Sequence, residues 1–113
     1  MDNCHAGKLV YEIMMKVKAT RQAEFEEHCK KSVQWVQGHK GYHCASFSSR
    51  NEKDDKDHVY YRVEMIFDNQ DSLDSYQKDV VPKVREGSTN FGDDAKVIER
   101  RVHNIFFVDC PKK

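Results

Sequence analysis

The feature that most constrains the fold is a repeated change in hydrophobic period along the chain, from two residues to the longer period of an α-helix and back. In residues 8–18 and 59–67, apolar side chains occupy every second position. Such alternation is typical of a β-strand that turns one face towards a core. These positions are Leu9, Tyr11, Ile13, Met15, Val17, Val59, Tyr61, Val63, Met65 and Phe67. Residues 42–50 and 95–108 are interpreted as two further strands.

The helical period appears first in residues 21–37, which are predicted to form an α-helix. Its apolar stripe consists of Phe25, Cys29, Val33 and Val36. Thr20 is expected to cap the N-terminus, because a threonine side chain accepts a hydrogen bond from an otherwise unpaired backbone N–H. Gly38 and Gly41 are expected to end the helix and to turn the chain.

A second helix is predicted to begin in residues 68–72, which are rich in capping side chains. Its apolar stripe consists of Leu73, Tyr76, Val80 and Val84. Pro82 lacks a backbone donor, so it is expected either to kink this helix or to restart it. Residues 90–94 are interpreted as a turn before the last strand.

The predicted order of elements is β-α-β-β-α-β, which indicates a ferredoxin-like α+β fold. This fold has a four-stranded antiparallel sheet in the order 4-1-3-2, with two helices on one face. We expect a single domain over residues 1–113, with an ordered core at about residues 8–109. The charged run at residues 51–57 is expected to be an exposed hairpin tip.

The charge balance argues against several classes of partner. Lys and Arg number 19 and Asp and Glu number 19, so the net charge is zero. Binders of nucleic acid and of anionic membranes concentrate positive charge, and neither is expected as a partner. The apolar runs are far shorter than the roughly 20 residues of a membrane span. The N-terminus lacks the apolar region of a secretory signal, so we expect a cytoplasmic protein with reduced thiols. A disulfide between Cys4 and Cys110 is the alternative.

The face of the sheet that points away from the helices is expected to be partly apolar. Val10, Met14, Tyr60 and Ile66 alternate there with charged residues. A monomer rarely leaves such a face in solvent. We therefore predict a homodimer in which two sheets pack face to face.

The second half of the chain resembles a known family. Ser72-Leu73-Asp74-Ser75-Tyr76, Val81-Pro82-Lys83-Val84-Arg85-Glu86-Gly87 and Phe91-Gly92-Asp93 are similar to the domain-of-unknown-function family 4286 of the dimeric α+β-barrel superfamily. That superfamily includes the antibiotic-biosynthesis monooxygenases and haem-degrading monooxygenases. The resemblance implies a dimeric α+β barrel with helices outside, and a long last strand that crosses to the partner.

A candidate ligand site is predicted between the two sheets, where charged groups surround apolar and aromatic side chains. Its residues are Glu12, Met14, Tyr60, Arg62, Glu64, Arg101 and His103. His103 or Glu64 is the candidate proton acceptor, and Arg62 is the candidate partner of anionic groups. The alternative is that these charges form ion pairs that fix the register of the dimer.

Neither a metal nor a cofactor is predicted. His43 and Cys44 are adjacent, so on a strand their side chains point to opposite faces and cannot bind one ion with His39. His28 and His58 are expected at the surface. Trp35 lies off the apolar stripe, and it is interpreted as an edge-of-core ring or as the mark of a ligand entrance.

Two functions from different classes remain open. The first is a dimer that binds a small molecule between its sheets or serves a structural role. The second is a cofactor-independent monooxygenase or isomerase, a possibility that the resemblance suggests. An apolar cavity with a proton acceptor beside it distinguishes the enzyme from the filled interior of a structural protein.

Overall fold

A four-stranded antiparallel sheet forms one layer of the protein, and helices cover one of its faces. The structure is a computed structural model that describes residues 6–50 and 56–109. The elements run in the order β1 (Leu9–Lys18), α1 (Gln22–Val36), β2 (Tyr42–Ser49), β3 (His58–Phe67), α2 (Gln70–Asp79), α3 (Val81–Gly87) and β4 (Ala95–Asn104). The strand order is β2-β3-β1-β4. The predicted α+β, ferredoxin-like fold is therefore confirmed.

The alternating strands direct their odd-numbered side chains to the helices, as the sequence predicted. β1 pairs with β3 in a register that sets Tyr11 opposite Met65 and Val17 opposite Val59. The side chains of Tyr11, Val17 and Met65 are buried. Burial of a large apolar side chain stabilises a fold by about 1.5–3 kcal/mol, so this face of the sheet contributes much of the stability.

The core has two parts along the sheet. One is centred on Phe67, which contacts the rings of Tyr42 and Tyr76. In the other, Phe25 of α1 lies 4.8 Å from the ring of Tyr61, measured between centroids. Rings at these separations attract beyond the area that they bury.

The start of α1 differs from the prediction. Thr20 does not cap the helix, because it lies within a 3₁₀ turn at Ala19–Arg21 and α1 begins two residues later. No side chain caps α1, and Arg21 occupies the N-cap position. The predicted turn after the helix is confirmed, since Gly38 and Gly41 have φ angles of 84° and 86°.

The second helix is divided in the way that its proline predicted. Asn69 accepts a hydrogen bond from the backbone N–H of Ser72 and caps α2. α3 then begins at Val81, with Pro82 in its first turn, where a missing N–H costs no hydrogen bond.

Residues 90–94 were predicted to be a turn, and they belong to a 3₁₀ segment, Thr89–Asp94, that carries part of the core. Phe91 in this segment is buried against Phe25. Arg21 holds the segment in place, because its guanidinium donates a 2.9 Å hydrogen bond to Asp94 and stacks 4.6 Å from the Phe91 ring. One side of the core is thus built by a segment without helical or strand periodicity.

The last strand is shorter than predicted. β4 ends at Asn104, where the sequence suggested Val108. Ile105 still pairs with the start of β1, since its N–H donates to Lys8 and its carbonyl accepts from Gly7. Phe106, the next residue, is 95% exposed.

Two predictions fall partly outside the described residues. The proposed pair Cys4 and Cys110 lies wholly outside them. Residues 51–55 of the charged hairpin also lie outside, while residues 56–57 form an exposed turn. Within residues 6–50 and 56–109, no helix has the length and apolar character that a membrane crossing requires.

Candidate functional site

A cavity of about 330 Å³ lies between the sheet and the helices α1 and α3. Its floor is the half-buried part of β1 and the neighbouring strands, and its roof is formed by the helices and the 3₁₀ segment. The lining is mostly aliphatic and aromatic: Ile13, Met15, Phe25, Val36, Phe47, Val63, Met65, Val80, Val84, Phe91, Ala95 and Val97. Ligand sites of small molecules typically combine such a lining with a few polar groups.

His28 is the imidazole in the cavity wall. The prediction that it is a surface residue is wrong, because its ring is half-buried on α1, 5.6 Å from the ring of Phe91 and 6.1 Å from the ring of Trp35. Burial lowers the pKa of His28 below its ordinary value of 6.5, and the positive charge of Lys31 lowers it further. The ring is therefore neutral at pH 7, and one of its nitrogens can accept a proton.

Tyr76 of α2 lines the same cavity. The side chain is buried, and its ring contacts Tyr11 and Phe67. Burial raises the pKa of Tyr76 to about 12, with smaller contributions from Tyr11 and Tyr42. The hydroxyl is consequently a proton-bearing donor at neutral pH, and no other described residue forms a hydrogen bond with it.

Arg85 of α3 is the cation among the described residues that line the cavity, and no carboxylate lies among them. Arg85 is exposed and forms no ion pair with another described residue. Two nearby hydroxyl groups are already engaged as donors, Ser88 to the carbonyl of Val84 and Thr89 to that of Glu86. Among the described residues of the wall, the side chains of His28, Tyr76 and Arg85 therefore form no hydrogen bond with another described residue.

An outer groove of about 440 Å³ adjoins the cavity, and His28 and Phe91 line both spaces. Trp35 lies along this groove next to Gly87. A Cβ atom on Gly87 would come within 2.7 Å of Cη2 of Trp35, so the glycine permits the close approach of the indole. Trp35 is 37% exposed and lines this groove, and its two interpretations, an edge-of-core ring and the mark of a ligand entrance, both stay predictions.

The predicted inter-sheet site lies on the opposite face of the sheet. The register places Glu12 of β1 between Glu64 of β3 and Arg101 of β4, and Met14 between Arg62 and Glu99. Side chains at the even positions of β1 and β3 point away from the helices, and so do the odd-numbered residues of β4 that pair with Val10, Glu12 and Met14. All seven predicted site residues thus share one face, which we call the open face: Glu12, Met14, Tyr60, Arg62, Glu64, Arg101 and His103.

Charged groups on the open face are paired within the chain. Nε2 of His103 lies 3.0 Å from a carboxylate oxygen of Glu12, across the β1–β4 pair. Along one strand, Arg62 lies 3.7 Å from Glu64, and Arg101 likewise contacts Glu99.

Tyr60 on the open face lies among cations. The guanidinium of Arg50 is 4.7 Å from its ring and the ammonium of Lys16 is 6.0 Å away. Where two or more cations adjoin one aromatic ring, the ring face partly offsets their mutual repulsion.

The open-face residues were found by sequence because strand alternation is a local signal. The cavity residues were missed, since Tyr76 and Val84 were interpreted only as core. His28 precedes the stripe residue Cys29 and follows Phe25 by three positions, which is the spacing of neighbours on a helix. That spacing was the available signal for His28, and nothing comparable marks Arg85.

A metal centre is not formed by the described part of the chain, where no three His, Cys, Asp or Glu side chains cluster. His43 lies at an irregularity in the β2–β3 pairing, and its Nε2 is 2.5 Å from a carboxylate oxygen of Asp68. This hydrogen bond holds the pKa of Asp68 below its ordinary value. His43 therefore has a structural partner.

The sheet, the helices on one face and the cavity between the layers together define a ferredoxin-like α+β protein. Over residues 8–105 the chain matches the family described as Domain of unknown function (DUF4286), and it belongs to that family. A comparison with curated protein sequences finds no significant match.

Solved structures with the same fold include three bacterial proteins. The cofactor-independent oxygenase SnoaB from Streptomyces nogalater aligns with a TM-score of 0.66 at 14% identity, over 88% of this chain and 93% of SnoaB. A candidate antibiotic biosynthesis monooxygenase from Bordetella bronchiseptica gives 0.63 at 16% identity, over 86% and 93%. NE2512 from Nitrosomonas europaea, a protein of unknown function, gives 0.65 at 8% identity, over 96% and 99%. At these identities the likeness shows the fold alone.

Proposed function

We propose that this protein binds a small, mainly apolar molecule in the cavity between its sheet and helices. The observation that carries the proposal is an apolar space of about 330 Å³ between the sheet and the helices, whose wall also includes the polar side chains of His28, Tyr76 and Arg85. A filled core has no such space. Small-molecule sites combine an apolar lining with a few polar groups, and a bound molecule supplies the packing that the empty space lacks.

Two variants of α3 test this proposal. Val84 lines the cavity and Val81 does not, yet both are half-buried against the same core cluster. The probe is N-phenyl-1-naphthylamine, an uncharged dye whose fluorescence rises in apolar surroundings. We expect Val84→Phe to fill the cavity and to weaken dye binding by about tenfold or more, since it removes the space that the rings occupy. Val81→Phe is the matched control and should bind as the wild type does. Equal binding by all three proteins contradicts the proposal.

The comparisons favour a second candidate function in the same cavity, which is cofactor-independent oxygenation or isomerisation of an enolisable aromatic molecule. SnoaB, which shares the fold, is a cofactor-independent oxygenase. His28, neutral at pH 7, is the candidate proton acceptor, and the Tyr76 hydroxyl is the candidate donor to the developing enolate oxygen. For this second function the proposed site residues are His28 and Tyr76 of the cavity, and not the residues of the open face.

The catalytic candidate has its own measurement. Oxygen consumption with an enolisable aromatic ketone should depend on His28, and His28→Gln should lower kcat by about 10²-fold or more while KM changes little. If the His28→Gln variant consumes the substrate as fast as the wild type does, His28 is not the proton acceptor. Binding of the dye without any turnover supports a binding protein.

The open face supports a further part of the proposal, a homodimer formed by two sheets. Val10, Met14 and Ile66 are already half-buried in one chain, and a partner sheet removes their remaining exposed apolar surface from water. In such a dimer Glu12, Arg62, Glu64, Arg101 and His103 lie at the interface, where they fix the register or border a second ligand site together with Tyr60.

Light scattering tests the dimer at micromolar concentration. Met14→Lys places a second positive charge beside Arg62 on the open face and should shift the protein to the monomer. Gln34→Lys, an exposed position of α1, adds the same charge on the helix side and should leave the dimer unchanged. A wild-type monomer contradicts this part of the proposal. A cytoplasmic location is proposed as well, because the four cysteines are scattered along the sequence with no close pair, a pattern that favours reduced thiols of the cytosol over a disulfide framework.

A further inference from the structure

The cavity lining does not share the balance of positive and negative charges that the whole chain has. The chain carries equal numbers of acidic and basic residues, and the open face pairs its carboxylates with Arg and His. The described lining of the cavity has one cation, Arg85, and no carboxylate. His28 adds no charge at neutral pH, because burial disfavours its protonated form. The cavity is therefore a mainly apolar space with one uncompensated positive charge.

Arg85 and the buried apolar lining occupy different parts of the cavity. Val63 and Met65 on the sheet are buried, whereas Arg85 near the end of α3 is exposed. The guanidinium thus marks the solvent side of the cavity, and the aliphatic and aromatic groups form its interior. A ligand that fits this arrangement has an apolar body and a single anionic group at one end.

The neighbouring side chains Ser88, Thr89 and Glu86 do not supply Arg85 with a negatively charged partner. The hydroxyls of Ser88 and Thr89 donate to backbone carbonyls, and neither supplies negative charge. Glu86, the neighbouring acidic residue, does not line the cavity and forms no ion pair with Arg85. An arginine presents a planar array of donors that matches a carboxylate, and such charge-assisted hydrogen bonds are stronger than neutral ones.

We infer that the natural ligand of the cavity is a small organic monoanion, a molecule with an apolar body in the interior and a carboxylate on Arg85. This inference rests on the proposed function, since it assigns a chemical class to the molecule bound in that cavity. It assigns Arg85 the role of selecting anionic over uncharged ligands of the same shape. The apolar wall supplies most of the affinity, and Arg85 supplies the discrimination.

A matched pair of dyes tests the discrimination. N-phenyl-1-naphthylamine and 8-anilinonaphthalene-1-sulfonate share the same rings and differ by one sulfonate group. Arg85→Gln should weaken binding of the anionic dye by about tenfold, the loss expected when one charge-assisted hydrogen bond is removed, and should change binding of the neutral dye by less than about twofold. Lys83→Gln removes a positive charge from an exposed position of the same helix that does not line the cavity, and it should change neither value.

Octanoate and octanol extend the test to carboxylates by displacing the neutral dye. Octanoate should compete better than octanol with the wild type, and equally well with the Arg85→Gln variant. If Arg85→Gln weakens both dyes alike, or octanoate has no advantage, the inference is overturned while the cavity site stands. If the neutral dye fails to bind the wild type, or binds Val84→Phe equally well, the proposed function itself is overturned and the inference with it.

Discussion

The hydroxyl group of Tyr61 on β3 donates a 2.8 Å hydrogen bond to the carboxylate of Glu26 on α1. The bond joins the sheet to the helix layer, since the rest of the Tyr61 side chain is buried against Phe25. Gln22 donates to the same carboxylate from the preceding turn. Both hydrogen bonds favour the ionised form of Glu26 and lower its pKa, with the larger effect from Gln22. For Tyr61, burial raises the pKa and Glu26 raises it further.

Removal of the Tyr61 hydroxyl should destabilise the fold modestly. We expect Tyr61→Phe to lower the free energy of unfolding by about 0.5–1 kcal/mol, because a partly solvated acceptor regains water when its partner is lost. Tyr60→Phe is the matched control, since Tyr60 points to the open face and its ring contacts with cations survive the change. Urea denaturation of both variants measures the difference. Equal stabilities of the two variants contradict a role for this bond.

The burial of His28 should make the protein less stable in mild acid. Its pKa in the folded chain lies below the ordinary value of 6.5, so the unfolded chain binds the proton more readily. The free energy of unfolding therefore falls as the pH drops from above 6.5 towards the lowered pKa of the folded state. His28→Phe cannot be protonated, and it should lose less stability than the wild type between pH 7.5 and pH 5.5.

Thermal unfolding at the two pH values gives the measurement. The quantity compared is the change in Tm between pH values within each protein, so any general effect of the substitution cancels. If the two changes in Tm are the same, His28 does not carry the acid sensitivity.

Two glycines with almost equal backbone angles allow strain to be separated from steric contact. Gly41 and Gly38 have φ angles of 86° and 84°, a region that other residues rarely adopt. A Cβ atom on Gly41 would lie 2.0 Å from Oγ of Ser72, whereas one on Gly38 meets nothing within 4 Å. Gly38→Ala should cost about 1–2 kcal/mol through backbone strain alone. Gly41→Ala should cost more, because the chain near Ser72 must also move.

Chemical denaturation of the two alanine variants supplies the comparison. The double variant Gly41→Ala with Ser72→Gly removes the side chain that the new Cβ meets. It should recover the part of the loss that exceeds the Gly38→Ala value. A Gly41→Ala variant as stable as Gly38→Ala argues against the contact.

The two described cysteines should differ in reactivity. Cys29 on α1 is buried, and burial, together with the nearby charge of Glu26, raises the pKa of its thiol to about 12. Cys44 on β2 is exposed. Since the thiolate is the reactive species, iodoacetamide at pH 8 should modify Cys44 readily and Cys29 only when the chain unfolds.

The labelling is measured by mass spectrometry in a background that carries Cys4→Ser and Cys110→Ser. One added group in the native protein and two in denaturant is the expected result. Native modification of Cys29 at the rate of Cys44 contradicts the burial of this side chain.

The sequence by itself determined the elements and the two faces of the sheet. The alternation in β1 and β3 and the stripe of α2 are periodic over neighbouring residues, so each is visible without knowledge of the fold. Pro82 acts on its own backbone, so an interruption of the second helix was predicted as a kink or a restart, and the structure has the restart at Val81. The open-face site was predicted for the same reason, since alternate residues of a strand share a face.

Only the tertiary structure decided where the cavity lies and which groups line it. His28 and Phe91 are 63 positions apart in the chain, and their contact depends on how α1 and the 3₁₀ segment pack together. Thr20 lies in a 3₁₀ turn and does not cap α1, and β4 ends at Asn104; neither outcome was visible in the residue types. Periodicity is a property of one segment, whereas an unfilled space between layers depends on the side chains of several segments at once. For this reason the sequence defined the sheet, and the packing of the helices on it defined the candidate site.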